Sequence, residues 1–225
     1  MSKLVTPTVI VNFKVYEEVV GRRSLNMAMI CQEVSESSGV CIAVCPPTVE
    51  LSSVAAGVHI PVLAQHVDSK APGSNTGWIT PQSVAGGRAV GTLLNHSEHR
   101  VPRENLRDLV KLCRDASLET VVCADTEAAA ADFAAFHPDF IAVEPPELIG
   151  GEISVTQARP EVVENAVRSV RGVDSGIPVF CGAGVKSGED VTKALELGAS
   201  GVLLASGVVK AKDARSALED LVKGV

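Results

Sequence analysis

Short apolar and β-branched runs alternate along the chain with stretches in which apolar residues recur every three or four positions. The runs are Thr8 to Phe13, Val40 to Val44, Pro61 to Gln65, Ala89 to Leu94, Glu119 to Cys123, Asp139 to Val143, Ile177 to Phe180 and Ser200 to Leu204. Helical periodicity follows at Glu17 to Ser35, Thr48 to Ala56, Pro81 to Gly86, Arg103 to Ala116, Thr126 to Ala135, Pro160 to Val170, Gly188 to Leu197 and Asp213 to Val222. The apolar runs are continuous rather than alternating in polarity. Both faces of each strand must therefore be covered, as in a parallel sheet clad in helices. Eight such units in succession favour a closed (β/α)8 barrel, an α/β fold, over an open doubly wound sheet, which more often has five or six strands.

Composition agrees with a packed fold. Of 225 residues, 46% are hydrophobic, which excludes a disordered chain. The length lies in the range of roughly 200 to 250 residues that such barrels occupy as one domain, so a single domain over 1–225 is expected. The net charge of -7, with basic residues scattered, argues against a nucleic-acid groove. An anionic small molecule then needs a locally positive site. No apolar run approaches the ~20 residues that span a bilayer, and the N-terminus lacks a charged stretch followed by an apolar core, so no membrane association and a cytoplasmic location are expected. The six cysteines contain no C-x-x-C pair and several lie in strand-like runs. Buried reduced thiols are favoured over disulfides or a metal site.

In a barrel, chemistry is carried at the C-terminal ends of the strands. The first strand ends in Asn12-Phe13-Lys14, the third in Gln65-His66, the fourth in Asn95-His96-Ser97-Glu98 and the sixth in Glu144-Pro145-Pro146. A lysine, a histidine and a glutamate from three strands thus converge on one face. Singly, each also fits a solvated side chain, a hydrogen-bonding loop residue or a surface turn. Gly182-Ala183-Gly184 after the seventh strand and Ala205-Ser206-Gly207 after the eighth are either ordinary tight turns or the backbone donors of a phosphate site.

Together, Val11-Asn12-Phe13-Lys14, Leu94-Asn95-His96-Ser97-Glu98, Glu144-Pro145-Pro146-Glu147-Leu148-Ile149-Gly150, Cys181-Gly182-Ala183-Gly184 and Leu204-Ala205-Ser206-Gly207 resemble the triosephosphate isomerase family, in its short archaeal-type branch. N-H-S-E followed some fifty positions later by E-P-P-E-L-I-G is the specific part. The resemblance implies interconversion of dihydroxyacetone phosphate and glyceraldehyde 3-phosphate, without cofactor or metal. It assigns Glu144 as the base, His96 as a neutral electrophile, Lys14 and Asn12 as groups that bind and orient substrate, and Glu98 as a supporting acid. Ile149, Gly150, Gly184, Ala205 and Ser206, with Asn12 and Lys14, are the implied substrate and phosphate contacts. Residues 144–151 would form a lid, rigid at the two prolines and hinged at Gly150-Gly151. Where many members carry Gly-Thr-Gly at the second hinge, this chain has Gly150-Gly151-Glu152.

The long loop from Val67 to Trp78 lacks periodicity and is expected to serve some purpose. In the family this loop reaches a neighbouring subunit, so a homo-oligomer, dimer or tetramer, is implied, with Trp78 as an interface reporter. His66 is expected at the site or an interface, whereas His59, His99 and His137 read as surface or structural. Other phosphate-binding barrels, such as sugar-phosphate epimerases or indole-glycerol-phosphate-synthase-like enzymes, want an Asp pair, a metal-binding His set or a second Lys at the strand ends, which this pattern does not supply. A non-catalytic phosphosugar-binding barrel would be favoured by loss of Lys14, His96 or Glu144; all three are present.

Overall fold

The computed structural model describes residues 3–145, 156 and 159–225. The strands are β1 Thr8–Asn12, β2 Cys41–Cys45, β3 Leu63–Ala64, β4 Gly91–Leu94, β5 Glu119–Ala124, β6 Phe140–Val143, β7 Val179–Gly182 and β8 Gly201–Leu204. All pairings are parallel, in the order β2-β1-β8-β7-β6-β5-β4-β3. A bridge between Val44 and Val62 joins the two ends of this sheet and brings it to a nearly closed barrel. The third strand is shorter than the expected Pro61 to Gln65 because its flanks pair singly. Pro61 has no N–H to give, but its carbonyl accepts from Val44 at 3.0 Å, and the Val62 carbonyl accepts from Val90 at 2.9 Å.

The helices are α1 Arg22–Ser38, α2 Leu51–Gly57, α3 Pro81–Gly86, α4 Arg103–Asp115, α5 Glu127–Ala134, α6 Pro160–Val173, α7 Gly188–Glu196, α8 Ser206–Val209 and α9 Ala214–Lys223. Their inner faces show the spacing that defines an amphipathic helix. In α4 the buried residues are Leu106, Leu109, Val110 and Cys113, and in α6 they are Val163, Ala166, Val167 and Val170. The starts are capped from the sequence: Thr80 accepts from Ser83 N, Thr126 from Ala129 N and Asp213 from Ser216 N, while Ser187 and Asp190 form a reciprocal capping box. The first helical stretch differs from expectation. Glu17–Val19 is a separate 3-10 turn, and Gly21, at φ 66°, reorients the chain before α1 starts at Arg22. Periodicity cannot register such a break, since Val19 and the α1 apolar residues still face one core.

Side chains alternate along each strand between two cores. Val9, Val11, Ile42, Val44, Val122 and Ile141 face the helices. Ile10, Ala43, Leu63, Leu93, Val121, Ala142, Phe180 and Leu203 fill the barrel interior, where the Phe140 and Phe180 rings stack at 5.1 Å. Asn12, Gln65, Asn95, Glu144 and Gly182 lie two residues beyond Ile10, Leu63, Leu93, Ala142 and Phe180. They continue the interior rows to the C-terminal mouth, where the filling changes from apolar to polar.

All six cysteines are free thiols, and all but Cys41 are buried. Burial pushes Cys31, Cys113 and Cys181 up to about 12. No helix among the described residues is long and apolar enough to cross a membrane.

Candidate active site

Three strand ends present their side chains through left-handed backbones, at Lys14 (φ 49°), Asn95 (φ 59°) and Ala183 (φ 73°). Such conformations cost about 1 to 3 kcal/mol for a non-glycine residue and persist only where neighbours hold them. Here the neighbours are identifiable. Lys14 N–H donates to Asn12 Oδ1 at 2.9 Å, and the Lys14 carbonyl accepts from Gln65 Nε2 at 2.8 Å, which also reaches the Cys45 carbonyl at 2.9 Å. Asn95 is tied on both sides, its Nδ2 donating to Cys123 O at 3.0 Å and its Oδ1 accepting from Val101 N at 3.1 Å.

His96 follows Asn95 and is 6% exposed. Its Nδ1 accepts the backbone N–H of Glu98 at 3.1 Å, which fixes the tautomer with hydrogen on Nε2. The Oε2 atom of Glu98 is 3.8 Å from Nδ1, beyond hydrogen-bonding distance. Glu98 instead holds Lys14, with Nζ to Oε1 at 2.7 Å.

Glu144 is equally enclosed, at 6% exposure, and its N–H is anchored on Ala124 O at 2.8 Å. Its side chain occupies the space that a side chain at residue 182 would fill: a Cβ on Gly182 would lie 2.4 Å from Glu144 Cγ and 3.0 Å from Cδ and Oε1. The Oε2 atom is buried without a hydrogen-bond partner among the described residues, and it lies 3.7 Å from His96 Nε2. An unsatisfied buried carboxylate oxygen is costly and calls for a reason. The Cys123 thiol is raised well above its usual range by burial and then by the charge of Glu144.

His96 and Glu144 line one pocket with Asn12, Lys14, Ala183, Gly184, Ala205, Ser206 and Gly207. Ala183 and Gly184 (φ 75°) are consecutive left-handed residues, and Ser206 opens the first turn of α8, whose leading N–H groups have no intrahelical acceptor. The two glycine-bearing turns foreseen after the seventh and eighth strands thus share a wall. Tyr16 and Lys186 also line the pocket; no motif or periodicity marks either. Ile149 and Gly150, and the expected lid and its hinge from Pro146 to Gly151, lie outside the described residues.

His66 lines an adjoining cavity with Lys14, Gln65, His96 and Glu98. It pairs with Asp68 at 3.2 Å and stacks on His99 at 3.8 Å, and burial lowers its pKa despite the Asp68 bond. His137 makes a surface pair with Asp174 at 2.9 Å. Among the described residues no group of three or more His, Cys, Asp and Glu side chains is placed to hold a metal ion.

Fold and site together define a (β/α)8-barrel enzyme whose ionisable side chains gather at the C-terminal mouth of the barrel, beside a wall of backbone donors. Comparison with known proteins narrows the class. The family model for triosephosphate isomerase matches residues 7–224. The triosephosphate isomerase of Methanocaldococcus jannaschii is 47% identical over 96% of this chain and 98% of its own. That of Methanopyrus kandleri is 49% identical over 97% of this chain and 98% of its own, and that of Methanosarcina acetivorans 43% over the same shares. The chain belongs to the triosephosphate isomerase family.

Proposed function

We propose that this chain, acting as one domain over 1–225, interconverts dihydroxyacetone phosphate and D-glyceraldehyde 3-phosphate by proton transfer through an enediolate. The observation that carries the mechanism is the buried Glu144 Oε2, unpartnered among the described residues and 3.7 Å from His96 Nε2. At that spacing the two groups can reach adjacent atoms of one substrate from the same side, the carboxylate a carbon and the imidazole a carbonyl oxygen. Glu144 takes the proton from the carbon next to the carbonyl and returns it to the neighbouring carbon. His96, its hydrogen on Nε2, donates that proton to the carbonyl oxygen as negative charge develops and recovers one from the neighbouring hydroxyl, so the hydroxyl proton passes between the two oxygens, and Lys14 adds a fixed positive charge. Asn12 acts twice, orienting substrate and holding the backbone of Lys14. Glu98 serves the same end indirectly, aiming the His96 tautomer through its N–H and Lys14 through its carboxylate.

The phosphate is placed against Gly184, Ala205 and Ser206, where backbone N–H groups meet an anion without side-chain obstruction. Ile149 and Gly150 would complete that contact from a lid over residues 144–151, keeping water from the enediolate. A homo-oligomer is proposed through the loop from Val67 to Trp78. Asp68 closes its base, its N–H donating to the Ile79 carbonyl and its Oδ2 accepting from the Ile79 N–H, both at 2.7 Å, and Trp78 stands 53% exposed near its end.

Purified protein is expected to isomerise glyceraldehyde 3-phosphate in a coupled assay. A correctly folded protein without turnover would sink the proposal. Gly182→Ala gives a sharper test of geometry. The added methyl meets the flexible side chain of Glu144 rather than backbone, so the carboxylate should move and the fold survive. A displacement near 1 Å costs on the order of a hundredfold in rate. Full activity in Gly182→Ala, with an unchanged melting curve, would contradict the placement of Glu144.

A further inference from the structure

Resting on that function, we propose that Lys186 is a second cation at the phosphate end of the pocket, one that captures and holds the triose phosphate dianion. The protein carries a net charge of -7, so a dianion is repelled at long range unless the mouth of the site reverses the local field. Lys14 is poorly suited to that task, because its ammonium is engaged by Glu98 at 2.7 Å and its side chain is only 12% exposed. Lys210 is also engaged, its ammonium resting 4.4 Å from the centre of the Tyr16 ring.

Lys186 differs from both. It is exposed, it lines the same pocket as Asn12, His96, Glu144 and Ser206, and no carboxylate among the described residues pairs with its ammonium. Its position is fixed by backbone rather than chance. The Lys186 N–H donates to Asp190 Oδ2 at 3.0 Å, the same oxygen that accepts from Ser187 N at 3.2 Å, so the Asp190 carboxylate is turned into the cap of α7. The stem then crosses Gly207. A Cβ at that glycine would stand 3.4 Å from Lys186 Cα and 3.6 Å from Lys186 Cγ. The lysine therefore lies over the first turn of α8, beside the N–H groups against which the phosphate is placed.

Neutralising this charge should slow capture and loosen binding without touching the proton transfer. Lys186→Met is expected to lower kcat/KM about three- to tenfold at low ionic strength, with kcat within about twofold of the parent. The dependence of kcat/KM on ionic strength should flatten, and the inhibition constant for inorganic phosphate should rise by a similar factor. Lys186→Arg should restore all three. Lys111→Met, on exposed α4, makes the same change in net charge away from the pocket and serves as the control. If Lys186→Met and Lys186→Gln match Lys111→Met in kcat/KM, salt dependence and phosphate inhibition, the proposal is overturned, as it is if the loss falls on kcat with an unchanged salt slope. Failure of the parent protein to isomerise would refute the proposed function instead, and phosphate binding by calorimetry would still decide the role of Lys186.

Discussion

Exchange of Glu144 for glutamine is expected to lower kcat by about a thousandfold, equivalent to about 4 kcal/mol of transition-state stabilisation, with little change in melting temperature. The amide has nearly the shape of the carboxylate, so it still fits the space left by Gly182, and its backbone bond to Ala124 is untouched. What disappears is the lone pair that accepts the carbon-bound proton. Stability should hardly move, because the Oε2 atom has no hydrogen bond to lose among the described residues. The informative readouts are steady-state kinetics beside a thermal melt. A Glu144→Gln protein retaining a tenth of the parental rate would show that another group moves the proton.

The second large effect is expected at His96. In His96→Gln the Glu98 N–H loses the Nδ1 acceptor that holds it at 3.1 Å, and the reacting oxygen loses a donor held in place beforehand. Removal of one such donor costs on the order of a hundred- to a thousandfold in kcat. The Lys14 to Glu98 pair does not depend on the ring, so KM should change much less. A loss confined to KM would instead mark His96 as a binding group. Glu144 and His96 stand 3.7 Å apart, so the double variant should lose less than the product of the two single losses.

Much of this architecture is legible in the sequence, because a doubly covered parallel strand leaves a dense apolar run and each run here is followed by a helical period. The eight strands, and the placement of Asn12, Lys14, His96, Glu98 and Glu144 at the strand ends, followed from that pattern. What stayed hidden is conformational or depends on distance. The break at Gly21 and the single turn of α8 are too short to disturb a period. Gly182 stood in a recognisable turn, yet its service to Glu144 depends on a 2.4 Å approach between strands 38 positions apart in sequence. Gln65 ends a strand visibly, but its two bonds to the Lys14 and Cys45 carbonyls belong to the folded mouth alone. Lys186 looks like any solvated lysine in a loop until the chain brings it over Gly207.

The interior rows also bear on how this protein can change. Because Asn12, Gln65, Asn95, Glu144 and Gly182 extend the same alternation that packs Ile10, Leu63, Leu93, Ala142 and Phe180, folding and chemistry share one register. Loss or gain of a single residue within β1, β4 or β6 would turn the apolar row and the reactive group together toward the helices. Changes of length are therefore tolerable only between the elements, where they leave that phase untouched. New specificity in such a lineage should accumulate through loop lengths and point substitutions, while the strands drift in side-chain size but not in count.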